Sequence, residues 1–246
     1  MMEPLALSGS IALVTGASRR IGCALALHLA RAGADIAVHY GTDQSGAEST
    51  AKQARAEGVR AITLQADLQQ PDQAAGLIEK VTDSLGTPSI LINNASIFES
   101  GGILDTSLEA WERHLKVNLT APFLISQAFA RACSGSRAVI LNLLDWRALN
   151  PGPDHLAYTV AKAGLAALTI SLAQALAPGI RVNGLALGAI LPPSGQQTKD
   201  LGLIADVPAQ RWGEVEEVCQ AVHFLIAGPD YITGEILHID GGRHLL

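Results

Sequence analysis

Tyr158 and Lys162 stand four residues apart in Tyr158-Thr-Val-Ala-Lys162, and Asp145 lies thirteen positions before the tyrosine. On a helix, residues four apart share a face. A tyrosine hydroxyl normally titrates near about pH 10, and a neighbouring ammonium favours its anion, which makes the phenol a usable acid/base group. Asp145, in Asn142-Leu-Leu-Asp145-Trp146, adds a carboxyl that can carry a proton to a ring nitrogen. The same residue also reads as a helix cap or a salt-bridge partner. The chemistry these three residues suggest is proton delivery to a bond being reduced or formed.

The elements that would position them alternate. Apolar runs at 11–15, 35–40, 60–66, 90–93, 138–143, 181–186 and 235–239 read as strands. Helical patterns lie near 20–32, 44–57, 71–85, 107–133, 155–177 and 214–227. Alternation of this kind predicts an α/β fold: a doubly wound, seven-stranded parallel sheet with helices on both faces, in a single domain over 1–246. Strands this apolar are those buried on both faces. Ligands of such sheets bind at the carboxyl ends of the strands. The stretch 187–212, rich in Pro, Gly and Gln, breaks the regularity and reads as a substrate loop or lid.

After the first strand comes Thr15-Gly16-Ala17-Ser18-Arg19-Arg20-Ile21-Gly22. Gly16 suits a tight turn and Gly22 a close helix–sheet contact. The helix start offers N–H groups and a positive dipole end to a pyrophosphate. Arg20 places a fixed cation beside it. The second strand ends His39-Tyr40-Gly41-Thr42 without the acid that would bind a ribose 2′-hydroxyl, and Asp43 reads as the start of the next helix. Arg19, with Ser18 and Thr42, can instead meet a 2′-phosphate. Charge-assisted bonds of that type are worth about 1.5–3 kcal/mol each, which predicts NADPH over NADH. Asp67-Leu68 follows the third strand, and Asn93-Asn94-Ala95-Ser96 the fourth.

Composition narrows the alternatives. With 246 residues and 48% hydrophobic content the chain can bury one large core. A formal net charge of −6 argues against general nucleic-acid binding. No run of about 18 apolar residues free of charge is visible, so no membrane span is expected, and Met1-Met-Glu-Pro-Leu lacks the marks of a secretory signal. The expected location is the cytoplasm. Cys23, Cys133 and Cys219 have neither disulfide nor zinc-site spacing and read as small core thiols. No metal is expected.

The ordered set of glycine loop, Asn94, Asn118 in Lys116-Val-Asn118-Leu119, and Tyr158-x-x-x-Lys162 resembles the short-chain dehydrogenases/reductases over the whole chain. That resemblance implies a Rossmann fold, NADPH as cofactor and a homotetramer. It implies that Lys162 holds the nicotinamide ribose, that Asn118 holds a water linking the lysine to solvent, and that Asp67 with Leu68 meets the adenine. It further implies that Gly16, Ser18, Arg19, Arg20, Ile21, His39, Tyr40, Thr42, Asn94, Ala95, Ser96, Gly188 and Ile190 line the cofactor. Four features depart from the general pattern. The middle glycine is Arg20, the glycine after Asn94-Ala95 is Ser96, the serine before the tyrosine is Asp145, and Leu187 replaces a proline before Gly188.

The first three, with Phe98 and His39-Tyr40, resemble the pteridine reductases, including dihydromonapterin reductases, as does the terminal Gly242-Arg243-His244-Leu245. There a pterin is held between nicotinamide and an aromatic matching Phe98, a stacking worth about 0.5–1.5 kcal/mol beyond burial. The resemblance implies hydride transfer to C6 of a dihydropterin, with Asp145 and Tyr158 delivering the proton and Arg20 and Ser96 holding the polar edge. Biopterin, monapterin and folate all remain open as substrates. The rival readings are a general carbonyl reductase of 3-oxoacyl thioesters or sugar ketones, and a regulatory NADPH-binding protein. Trp146, His155 and Trp212 either line the substrate loop or pack, and the tail from Arg243 is a candidate to reach a neighbouring subunit.

Overall fold

The computed structural model describes residues 7–192 and 200–246. Seven strands, β1 (Ile11–Val14), β2 (Asp35–Tyr40), β3 (Ala61–Gln65), β4 (Ile90–Asn93), β5 (Ala138–Asp145), β6 (Ile180–Leu187) and β7 (Ile236–Ile239), form one sheet in the order β3-β2-β1-β4-β5-β6-β7. Every pairing is parallel. The order reverses between β1 and β4, so a crevice opens beyond Val14 and Asn93. All the residues of β1, β4 and β6 are buried.

Strand periodicity divides the core into two layers. Ala12, Val14, Ile36 and Val38 face α1 (Arg20–Arg31), α2 (Gln44–Ala56) and α8 (Val215–Ala227), packing with Leu25, Leu29, Ala51 and Val222. Their neighbours Leu13, Ala37 and Leu91 face the other way, onto α4 (Leu77–Leu85) and α6 (Ala121–Ala132), and meet Leu77, Val81, Ile125 and Phe129. A short α3 (Pro71–Ala75), α5 (Leu108–Leu115) and the long α7 (Leu156–Leu176) complete the helices.

Several boundaries differ from the sequence reading, each for a local reason. The pattern over 71–85 breaks at Gly76, which ends α3 and opens α4. The pattern over 107–133 is two helices joined by a π-helical turn, Lys116–Thr120, which carries Asn118. β5 and β6 run on past the apolar stretch because their ladder continues to the Asp145–Leu187 pair. Asp145 is therefore the last residue of a strand. α7 alone among the described helices is long and apolar enough by length and composition to cross a membrane, against the expectation of no such run. It packs on β5 and β6 as a core helix, with Ala157, Ala161, Leu165 and the lysine Lys162 on its buried face.

The polar interior is also organised. Asn93 Nδ2 donates to Asn142 Oδ1 at 2.8 Å and to Ser126 Oγ at 3.2 Å, and Asn142 Nδ2 donates to Thr169 Oγ1 at 2.9 Å. These buried bonds tie β4, β5, α6 and α7 together just below the crevice.

Candidate active site

The glycine loop runs from β1 into α1 and is fixed from two sides. Asn94 Nδ2 donates to the carbonyls of Thr15 and Gly16 at 2.8 and 3.1 Å. The Thr15 hydroxyl accepts from the backbone N–H groups of Asn94 and Ala95 at 2.9 and 3.0 Å. A Cβ on Gly16 would stand 2.9 Å from Ala95 Cα, and one on Gly22 would stand 2.3 Å from the Gly16 carbonyl oxygen. Both glycines are steric requirements of a loop pressed against β4. α1 begins with no side-chain cap and no acid in its first turn, which leaves its positive end to an incoming anion. The loop thus fits a dinucleotide pyrophosphate.

His39 does not face the cofactor crevice as a free side chain. It is buried, its Nδ1 accepts from the Gly16 N–H at 3.1 Å, and its Nε2 sits 3.1 Å from the Ala66 carbonyl. It shapes the loop from below. Tyr40, the last residue of β2, is also buried. Asp43 caps α2 by accepting from the Gly46 N–H at 3.0 Å, as its position suggested. Arg19 and Thr42 are exposed beside it and Ser18 is half-buried. Asp67 closes a turn, accepting from the Gln69 N–H at 3.0 Å, and Leu68 is buried.

Arg20 holds φ at +56°, the left-handed region where glycine is favoured. That is the physical reason for a glycine at this position of the motif, and sequence reading assigned Arg20 a charge while missing its backbone. Its guanidinium donates to the Pro192 carbonyl at 2.5 Å, at the near end of the 187–212 loop. Gly188 packs against Asp240, where a Cβ would lie 2.7 Å from Cα, and Ile190 is buried. Residues 193–199 of the expected substrate loop lie outside the described residues, as do residues 1–6. Trp212, a candidate for lining that loop, is buried and donates from Nε1 to the Asp200 carbonyl at 3.2 Å.

Three elements bring the proposed chemistry together. Asp145 ends β5, Tyr158 sits in the first turn of α7, and Lys162 is one turn further on. The Tyr158 hydroxyl donates to Asp145 Oδ2 at 3.2 Å. The other carboxylate oxygen accepts from the Arg147 N–H at 2.9 Å and caps the 3-10 turn Trp146–Ala148. Asp145 is a cap and a tyrosine partner at once, so the two readings of it are not exclusive.

The electrostatics of the cofactor-free site oppose the phenolate. Burial, then the Asp145 carboxylate, pushes Tyr158 well above the ordinary phenol range, with Arg147 opposing weakly. Without cofactor the group is held as a neutral phenol. The Lys162 ammonium donates to the buried Leu143 carbonyl at 2.7 Å and lies 5.9 Å from the Tyr158 ring centroid. Burial brings Lys162 down to about 8, against a partial upward pull from Asp145.

Asn118 uses its side chain to hold the segment after β4. Its Oδ1 accepts from the Ile97 N–H and the Ser96 hydroxyl, both at 3.0 Å, and its Nδ2 donates to the Ile97 carbonyl at 2.9 Å. The Ser96 hydroxyl, expected at the phosphates or substrate, is turned to Asn118. This clamp positions Phe98, whose ring meets Tyr158 edge-on with centroids 4.7 Å apart. His155 stacks on one face of Phe98 at 4.0 Å and 6°. Phe98 stays 43% exposed, with the Arg147 guanidinium also over its ring at 5.8 Å from the centroid.

Sequence reading missed Arg147 altogether. Its side chain is largely enclosed, reaches Asp154 at 2.9 Å and stands 3.9 Å from Asp145. Trp146 carries Arg147 and Arg243 over its ring, at 4.9 and 4.2 Å. The C-terminal tail, a candidate for a neighbouring subunit, therefore meets its own chain here. Cys133 and Cys219 are buried as expected, while Cys23 is half-buried and accepts from the Thr50 hydroxyl.

The chain is similar to known proteins over nearly its whole length. Residues 16–244 match the family model described as Enoyl-(Acyl carrier protein) reductase. The 3-oxoacyl-[acyl-carrier-protein] reductase of Synechocystis sp. is 33% identical over 241 residues, covering 96% of this chain and 98% of that protein. The crystal structure of FolM Alternative dihydrofolate reductase 1 from Brucella canis, complexed with NADP, superposes with a TM-score of 0.92 at 32% identity, covering 98% of this chain and 96% of that one. A blue fluorescent protein from a metagenomic library, in complex with NADPH, superposes with a TM-score of 0.90 at 32% identity, covering 97% and 99%.

Proposed function

We propose that this chain, which belongs to the short-chain dehydrogenase/reductase family, uses NADPH to reduce a dihydropterin to the tetrahydro form. Global similarity does not choose a substrate: the 3-oxoacyl-[acyl-carrier-protein] reductase and the FolM structure are equally distant, at 33% and 32% identity. The local observation that carries the reading is the Tyr158–Asp145 hydrogen bond, a protonated phenol joined to a carboxyl at 3.2 Å. A ketone being reduced needs one proton donor at its oxygen. A ring nitrogen two atoms into a flat heterocycle is better served by a relay.

The NADP found with the FolM structure supports NADPH here. The loop from Gly16 to Ile21 and the start of α1 would hold the pyrophosphate, with Ala95 close against it. Asp43 is committed to capping α2, and Arg19 stands exposed beside it, which favours a 2′-phosphate over a free hydroxyl. Lys162 would hold the nicotinamide ribose. Bound there, the reduced nicotinamide supplies the hydride that C6 of the ring takes.

The open ring surface of Phe98 holds the flat substrate by stacking. Tyr158 and Asp145 act as one hydrogen-bonded pair that, with ordered water, delivers a single proton to N5 as C6 takes the hydride, and the water restores that proton to the pair. Arg20 and Ser96 border the polar edge. Assembly as a cytoplasmic homotetramer belongs to the same reading; Phe123 on α6 and Val160 and Ile170 on α7 offer exposed apolar surface for it.

The test is NADPH oxidation with dihydrobiopterin, dihydromonapterin, dihydrofolate and a 3-oxoacyl thioester. Turnover of at least one pterin with little or none of the thioester is expected. The reverse pattern would establish a 3-oxoacyl reductase, the activity named for the Synechocystis relative.

A further inference from the structure

Where α1 packs on α8, three ligand-type side chains converge far from the catalytic residues in sequence and on other elements. His28 comes from α1, and Glu216 and Cys219 come from α8, three residues apart on one face. One ligand atom from each lies within 4.8 Å of the others. Cys219 is buried and Glu216 is largely exposed, so the cluster opens to solvent on the glutamate side.

We propose that His28, Glu216 and Cys219 form a zinc(II) site that fastens α1 to α8. The nitrogen of His28 that faces Glu216 is Nδ1, 3.9 Å from Oε1. Its other nitrogen, Nε2, is 3.2 Å from Nδ1 of His223, with the two rings perpendicular. His223 lies one turn beyond Cys219 on the same face of α8. If Nε2 carries the hydrogen and donates to His223, Nδ1 keeps its lone pair for a metal. A hydrogen-bonded outer partner of this kind is the usual support of a ligating histidine. His28 titrates below its ordinary value, through burial and then His223, and so stands neutral at pH 7.

The donor set of nitrogen, carboxylate oxygen and sulfur, with a fourth position left to water, suits zinc better than magnesium or calcium. Bonds of about 2.0–2.3 Å around a tetrahedral ion put ligand atoms roughly 3.3–3.8 Å apart, so shifts of about 1 Å close the site. Two features oppose it. Burial, then Glu216, raises the Cys219 thiol to about 11, so the ion must displace that proton to solvent. Arg31, one turn after His28, is a nearby cation, though it pairs with Glu57 at 3.4 Å.

Untagged full-length protein, stripped with chelator, is titrated with Co²⁺ and Zn²⁺. One equivalent of Co²⁺ with a sulfur-to-cobalt charge-transfer band is expected, with Cys23 and Cys133 left intact. Zn²⁺ is expected to raise the melting temperature. Cys219→Ser should abolish the band, and His223→Phe should weaken binding about tenfold or more. Because Cys219 is in the core, Glu216→Gln at the exposed ligand is the second variant and should also weaken binding. Absence of saturable one-equivalent binding, or affinity unchanged in Glu216→Gln and Cys219→Ser, overturns the proposal. Neither readout involves NADPH or pterin, so the result stands apart from the proposed activity.

Discussion

Replacing Asp145 by serine probes the centre of the proposed chemistry. Two contacts change. The Arg147 N–H loses a carboxylate acceptor at 2.9 Å, but serine is also a good cap, so that part costs only a few tenths of a kcal/mol. The Tyr158 hydroxyl loses its acceptor at 3.2 Å, a charge-assisted bond worth about 1.5–3 kcal/mol. The variant keeps Arg147 beside Asp154, so the site does not collapse. Folding stability should therefore fall by about 3 kcal/mol at most. Catalysis should suffer more, because a positioned proton donor contributes about 10²–10⁴-fold. Steady-state NADPH oxidation with the best pterin should show kcat down at least about 100-fold, with NADPH affinity, read by fluorescence titration, unchanged. The phenol should also titrate lower, since the carboxylate raises it. Pterin turnover equal to that of the parent enzyme would refute the relay, as would loss of NADPH binding in step with activity.

Other expectations concern neighbouring residues. Lys162 falls from 10.5 to about 8 on burial, so the unfolded chain holds the extra proton between those values and stability rises with pH across that window. The cofactor-free enzyme should gain up to about 3 kcal/mol between pH 8 and 10, and Lys162→Met should remove the slope in thermal melts. Arg20→Gly relieves left-handed strain of about 1–2 kcal/mol but adds about 0.5–1 kcal/mol of chain entropy. Its stability should move by no more than about 1 kcal/mol while KM for the pterin rises; an unchanged KM would remove Arg20 from the pocket. His155→Ala should raise KM with kcat little changed, because Phe98 loses the stacked ring that orients it, and His155→Phe should restore it. A lowered KM in His155→Ala would instead show that His155 competes with the substrate.

The fold was legible in the sequence because its strands are apolar and its helices periodic, signals set by burial on two faces. Lys162 and Tyr158 were legible because helix geometry relates them at a fixed spacing. The partners were less so. Arg147, His155 and Phe98 meet across a strand end, a helix start and a loop, and no spacing rule connects those. The π-helical turn at Asn118 left no mark either, since its extra residue is hidden in a continuous helical pattern. Arg20 showed the reverse limit: its type was read, and its backbone angle was not. Tyr158 showed why charge arguments need coordinates. An ammonium one turn away was expected to favour the phenolate, yet burial and Asp145 dominate.

His39 gives the site an acid weak point. Burial lowers its imidazole from 6.5 to about 4, so at neutral pH it is uncharged and can accept the Gly16 amide hydrogen at Nδ1. The unfolded chain takes up a proton near 6.5 while the folded chain resists until about 4, so this contribution, worth up to about 3 kcal/mol, is complete above 6.5 and lost as pH falls towards 4. A protonated ring has hydrogens on both nitrogens and can no longer take the Gly16 bond. Acid would then unseat the turn at Gly16. Thermal melts from pH 7 to 4 should fall less steeply for His39→Gln than for the parent chain, and a parallel fall in both would show that the acid weakness lies elsewhere.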